Sequence, residues 1–295
     1  MSRAVADRSS TLVGLLWISP WLVGFVVFMA IPIAMSLSYS LTDFPLLEAP
    51  LYVGAENYTG LLRDTIFHKA LLNTAIYSVL FIPSASALAL LIAAALNARL
   101  RGLWIYRTAI FIPSLVPIVA ASMIWLWLFN AEQGLVNISL RAIGIEGPNW
   151  LGDRRWALLA LVVMALWNIG QTVVIYLAAL QDVPASLYEA ASIDGMGPLR
   201  RLFHVTMPMI SPVILFNVII MTINTLQVFA VPYIMTEGGP DRATYFFTHY
   251  LYDNAFVFRK MGYACAIAWV QFVVILALTL AMFAVSRKMV HYRNA

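Results

Sequence analysis

Charge is scarce in this chain. Of its 295 residues, 11% are charged and 62% are hydrophobic, whereas a soluble domain carries roughly 25% charge. A soluble protein of this size needs more polar surface to cover its core, so the solvent that suits this one is a bilayer. The 18 basic residues stand singly or in pairs, and the net charge is +4. Without a basic stripe, that excess does not point to nucleic acid. Cysteine is limited to Cys265, which lies in an apolar run. It reads as a small hydrophobe and excludes an internal disulfide or a thiolate metal site. A phosphate-binding loop needs Gly-Lys followed by Ser or Thr. The three lysines, Lys69, Lys260 and Lys288, never follow glycine. His68, His204, His249 and His291 are scattered, with no metal-ligand or Ser-His-Asp pattern. Catalysis, ATP hydrolysis by the usual route and a bound cofactor are therefore not expected on this chain.

Long apolar runs take the place of charge. Residues 12–40, 70–97, 108–129, 157–180, 209–231 and 262–286 contain no Asp, Glu, Lys, Arg or His. A spanning helix needs about 20 such residues. The runs are continuous rather than alternating, so they read as helices and not as barrel strands. The expected fold is an all-α integral membrane domain over residues 1–295 with six transmembrane helices. The first run is too long for a signal-peptide core and lacks a clear cleavage site, so it reads as an uncleaved anchor.

Six spans put both termini on one side. With the termini inside, segments 1–11, 98–107, 181–208 and 287–295 hold ten basic residues in 58 positions; the outer segments hold eight in 86. That asymmetry favours cytoplasmic termini. Pro20, Pro32, Pro83, Pro113 and Pro117 fall inside spans. Hinges of a moving transporter and static packing both account for them.

The inner segment 185–208 is too structured for a linker. Ser186 and Glu189 have capping-box spacing, which predicts a helix through Asp194. Gly195 suits the residue after a helix, where φ turns positive. Pro198 can open a second short helix, and Pro208 would then mark the start of the fifth span. Leu187, Tyr188, Ile193 and Met196 would be exposed among Glu189, Asp194, Arg200 and Arg201. A docking face accounts for this pattern; so does an amphipathic helix packed on the protein's own spans or on lipid.

The string Glu189-Ala190-Ala191, then Asp194-Gly195, Phe203 and Met207-Pro208 resembles the EAA motif of bacterial ABC-importer permeases. Met196 and Met207 depart mildly from it. Val53-Gly54-Ala55-Glu56-Asn57-Tyr58 and Thr236-Glu237-Gly238-Gly239-Pro240 with Thr244 look like the family's outer-loop elements. The resemblance covers nearly the whole chain and points to the carbohydrate branch, to the larger maltose permease or glycerol-phosphate A component type. It implies a type I ABC importer permease fold in the bacterial cytoplasmic membrane, with a coupling helix between spans 4 and 5. It further implies three partners: a second homologous permease, a homodimeric ATPase that holds ATP and Mg, and an extracytoplasmic sugar-binding protein. Glu189, Ala190, Ala191, Asp194, Gly195 and Phe203 would engage the ATPase.

A sugar needs hydrogen-bond partners and flat apolar faces near mid-membrane. Polar residues inside spans tend to face the interior or a cavity. Asn168 and Gln171 share one helix face, as do Asn224 and Gln227. The lining positions of maltose-type relatives fall near Ser114, Trp167, Asn168, Gln171, Asn224 and Thr225; Gln227 completes the candidate pathway. Hydrogen bonding between helices is the competing role for each, above all for Asn217 and Gln271. A glycerol-phosphate-type or other small polar cargo is the alternative within the importer class. A self-sufficient secondary carrier usually needs ionisable residues in its spans, and these have none.

Overall fold

The computed structural model describes residues 2–97 and 102–289, and they are mostly helical. Of the basic residues used for orientation, Arg99, Arg101 and Arg293 lie outside the described residues, as do the side chains of Arg3, Arg8, Arg287 and Lys288. Four helices are long and apolar enough to cross a bilayer: Leu16–Ser40, Thr65–Leu96, Pro198–Leu226 and Met261–Ser286. Two bent pairs, Leu103–Leu115 with Ile118–Leu128 and Ala157–Trp167 with Gly170–Gln181, bring the total to the expected six if each pair is one crossing.

The third run is broken at the prolines noted in its sequence, and the fourth is broken where no break was expected. The third bends by 99°. Pro117 forces Val116 into extended backbone at φ −73°, ψ 127°. Pro113 sits in a tight 3₁₀ turn just before it, Ile112–Leu115. The fourth run bends by 50° without a proline. Its helix ends at Asn168, φ −98° and ψ 21°, and resumes at Gly170. A Cβ on Gly170 would stand 2.5 Å from the Ile110 carbonyl oxygen and 3.1 Å from Phe111 Cα. The two breaks are therefore packed against each other at a point where only glycine fits.

The fifth span also differs from expectation. It starts at Pro198 and runs to Leu226, with no break at Pro208 and an end short of residue 231. Proline removes a backbone donor and crowds the carbonyl four residues back. A wider π turn, Leu202–Thr206, comes just before it, and the Met207 N–H bonds the Leu202 oxygen. Val26–Ala30 provides the same relief before Pro32. Pro83, by contrast, lies within the unbroken Thr65–Leu96 helix.

The chain, read from sequence as one domain, divides into two compact units, residues 1–64 with 251–270 and residues 65–250 with 271–295. In the first, Asn57 Nδ2 donates to the carbonyls of Ser40 and Thr42, both at 2.9 Å. The Tyr58 hydroxyl meets Ser40 Oγ at 2.7 Å. The Gly-x-x-Asn-Tyr element thus ties down the end of the first span. It also holds a short ribbon, Thr42–Asp43 paired with Leu51–Tyr52.

In the second unit the core is built on small residues. Ala85, Ala89 and Ala93 are fully buried against a cluster that includes Val173, Tyr176 and Leu177. Close backbone approach of this kind is how helices associate without a hydrophobic driving force between them. Tyr176 finds a partner in Ser86 at 2.9 Å. The Gly-Gly-Pro segment is closed on itself: Thr236 and Thr244 hydroxyls meet at 2.7 Å, and Thr244 Oγ1 donates to the Gly239 oxygen at 2.7 Å. Gln271 Nε2 reaches the Leu226 oxygen at 2.7 Å and Thr248 Oγ1 at 3.0 Å, the interhelical role considered for it from the sequence.

Candidate functional sites

Two places in the second unit carry chemistry that its environment does not explain. The first is the 185–208 segment. Its helix spans Ala185–Ile193, with Pro184 at the N-cap and no side-chain cap bond. The expected capping box does not form, because Pro184, at φ −59° and ψ 131°, starts the helix two residues before Ser186 takes a cap position. The other end follows expectation. Gly195 has φ +67°, its N–H bonds the Ser192 oxygen at 3.1 Å, and the Met196 N–H bonds the Ala191 oxygen at 2.9 Å. These two bonds make a Schellman motif, which closes the helix and turns the chain.

Glu189, Ala190, Asp194, Gly195 and Phe203 are exposed. Ile193 is 88% exposed, and Leu199 and Phe203 are exposed as well. Ala191 differs from the expected face: it is buried at 3% and faces inward. Tyr188 and Met196 are half-buried. The Tyr188 hydroxyl meets Thr206 Oγ1 at 3.1 Å, and Arg201 Nε donates to the Met196 oxygen at 2.7 Å. These bonds fix the Ala185–Ile193 helix to the base of the fifth span. The second helix opened by Pro198 is that base itself, not a separate short helix. The capped helix is thereby bonded to a helix of 29 residues.

The second place is a cavity of about 660 Å³ between the fourth and fifth spans, within the range of small-molecule sites. Asn168, Gln171, Asn224 and Thr225 line it, together with Asn217 and Thr172. The Asn217 carboxamide donates to the Val213 oxygen at 3.0 Å, and Thr225 Oγ1 donates to the Met221 oxygen. Asn168 reaches the cavity because the fourth helix stops there. Ser114, Trp167 and Gln227 are not in the lining. Ser114 Oγ donates to the Phe111 oxygen at 2.6 Å, inside the break. The Trp167 ring stands edge-on to Trp125 at 6.0 Å. Gln227 caps the fifth span through its own backbone.

Sequence reasoning missed the aromatic wall: Tyr77, Phe81, Phe216 and Phe229 also line the cavity. Nothing in the local pattern separates these rings from lipid-facing ones. No Asp, Glu, Lys, Arg or His contributes to the lining. Carboxamides can bond hydroxyls in both directions, and ring faces suit the apolar side of a pyranose. Among the described residues no cluster of three or more His, Cys, Asp or Glu could hold a metal.

Residues 85–291 match the family described as "Binding-protein-dependent transport system inner membrane component". The probable ABC transporter permease protein YesP of Bacillus subtilis is 35% identical, over 100% of this chain and 96% of its own. The lactose transport system permease protein LacF of Rhizobium radiobacter is 36% identical, over 97% of this chain and 98% of its own. The crystal structure of a bacterial ABC transporter involved in the import of the acidic polysaccharide alginate superposes with a TM-score of 0.85 at 21% identity. It covers 98% of this chain and 100% of the matched one. That last likeness is one of fold.

Proposed function

Because this chain belongs to the binding-protein-dependent transport system inner membrane components, we propose that it is the permease subunit of an ATP-driven importer for a sugar or oligosaccharide. The observation that carries the reading is the cavity, where amide groups and ring faces meet with no charged side chain in the lining. An uncharged sugar matches that chemistry, and the lactose permease relative is named for such a cargo. A phosphate ester would need a cation that the lining lacks.

In this reading Asn168, Gln171, Asn224 and Thr225 offer hydrogen bonds to the passing sugar, and Tyr77, Phe81, Phe216 and Phe229 offer flat surface. Glu189, Ala190, Asp194 and Gly195 present the ATPase-facing side of the capped helix, Phe203 flanks it from the base of the fifth span, and Ala191 anchors the helix from within. Glu189 pairs with a basic residue of the ATPase. ATP and Mg belong to that partner, and no cofactor belongs to this chain. A second, related permease completes the pathway, and an extracytoplasmic binding protein delivers the cargo. Both termini lie on the cytoplasmic side. Alternating access then follows from a two-state equilibrium that ATP biases through the capped helix and the fifth span.

The test is reconstitution in proteoliposomes with the partner permease, ATPase and binding protein. ATP-dependent accumulation of a radiolabelled uncharged sugar is the expected result. Uptake driven by a proton or sodium gradient without ATP would overturn the proposal.

A further inference from the structure

A second concavity, of about 650 Å³, lies between the fifth span and the last helix, away from the cargo cavity. Phe203, Met207, Leu215, Leu278 and Met282 supply much of its wall. Its two serines show it little polarity. Ser211 Oγ donates to the Pro208 oxygen at 2.7 Å, and Ser286 Oγ to the Phe283 oxygen at 2.8 Å. Both walls belong to helices apolar and long enough to cross the bilayer, so the occupant is hydrocarbon or another helix.

The wall runs from Phe203 to Val218, about 22 Å at 1.5 Å per residue, as a slot along the two helices. The charge at one end distinguishes the two occupants. Arg200 stands one turn before Phe203 on the same helix and is exposed. It forms no ion pair with a described residue, the two present being Lys69 and Arg154 with Asp241. An apolar slot with an exposed guanidinium one turn beyond its end matches a tail joined to a phosphate.

We infer that this groove binds an anionic phospholipid, its acyl tail between the fifth and last helices and its phosphate on Arg200. The lipid would then brace the base of the fifth span, next to the π turn that absorbs Pro208.

The experiment uses the assembled transporter in vesicles containing trace phosphatidylglycerol or phosphatidylcholine, each with a photoreactive diazirine in the tail. Cross-linked peptides are read by mass spectrometry. Phosphatidylglycerol is expected to label peptides covering 207–218 and 278–286 about fivefold more than phosphatidylcholine, the factor one surface arginine supplies. Arg200→Gln should bring the two lipids to parity, and Ala281→Trp, which fills the groove, should reduce labelling by both. Equal labelling in the unaltered protein, or a preference that survives Arg200→Gln, would overturn the inference. So would efficient cross-linking of a cysteine at position 281 to the second permease, which would show a protein covering the groove. If Ala281→Trp prevents assembly, the unaltered protein and Arg200→Gln still decide.

Discussion

In the 185–208 segment Ile193, Leu199 and Phe203 are exposed between charged residues. At the cavity the situation is reversed, with the carboxamides of Asn168, Asn217 and Asn224 set among apolar helices. Each region carries the residues its surroundings disfavour. Exposed apolar side chains cost free energy in water unless a partner covers them. Amides inside a span are costly unless bonded or wetted. The two regions also differ in how they are held. Two bonds at Gly195 close the capped helix locally, whereas the cavity depends on backbone breaks that meet across two spans at Gly170. The first can therefore be legible along the chain, and the second only in three dimensions.

That contrast sets a series of tests. Gly170→Leu should distort the cavity region and lower overall stability, because its side chain meets the Ile110 backbone rather than a movable side chain. Overpacking of this kind costs about 1–3 kcal/mol. The expected outcome is uptake at background and a clearly lower melting temperature by fluorescence-detected size exclusion. A normal melting curve with full uptake would show that the two breaks do not depend on each other.

Glu189→Lys should act on one region alone. Uptake falls to background and the ATPase no longer co-purifies with the permease, while the melting temperature stays within the error of the unaltered protein, as for most surface substitutions. Retained ATPase would remove this helix from the coupling role.

Asn168→Ala combined with Gln171→Ala is the complementary change. Cargo-stimulated ATPase activity should drop about tenfold, the equivalent of one or two lost hydrogen bonds, with the complex still assembled. Unchanged stimulation, or loss of assembly, would make these amides structural.

Gly195→Ala retains the helix but places a Cβ at positive φ, which costs about 1–2 kcal/mol. ATPase retention should weaken several-fold, and protease sensitivity at 194–198 should rise. Tyr188→Phe should have the smallest effect. It removes the hydroxyl bonded to Thr206, worth about 1 kcal/mol, and should slow uptake modestly while the ATPase remains bound. Equal uptake in this variant would mean that the helix is coupled to the fifth span by packing alone.

The capped helix was largely readable in advance, since Gly195, its neighbours and the following Pro198 act within a few residues. The start of the helix was not. Ser186 had the right spacing for a capping box, but Pro184 had already fixed the backbone that begins the helix. The inward turn of Ala191 was hidden too, because one alanine in a pair looks like the other until the helix is docked. At the cavity, Asn168, Gln171, Asn224 and Thr225 stood out as polar residues in apolar runs, yet Ser114, Trp167 and Gln227 stood out equally. What separates them is direction. Ser114 is turned into the 99° break of the third span, Trp167 packs edge-on to Trp125, and Gln227 stands one residue past the end of its helix, so spacing along the sequence does not predict which residues share the cavity.

Composition alone settled the solvent, because a chain with 11% charged residues has too little polar surface for water. Run length then gave the helices, since backbone groups in hydrocarbon must bond within their own segment. The residues between the fourth and fifth runs gave the capped turn, because glycine and proline impose backbone angles wherever they occur. Packing decided the rest. Whether a proline kinks, hides behind a π turn or passes unnoticed depends on which neighbour receives the freed carbonyl. Which polar side chains share a cavity depends on where two broken spans touch.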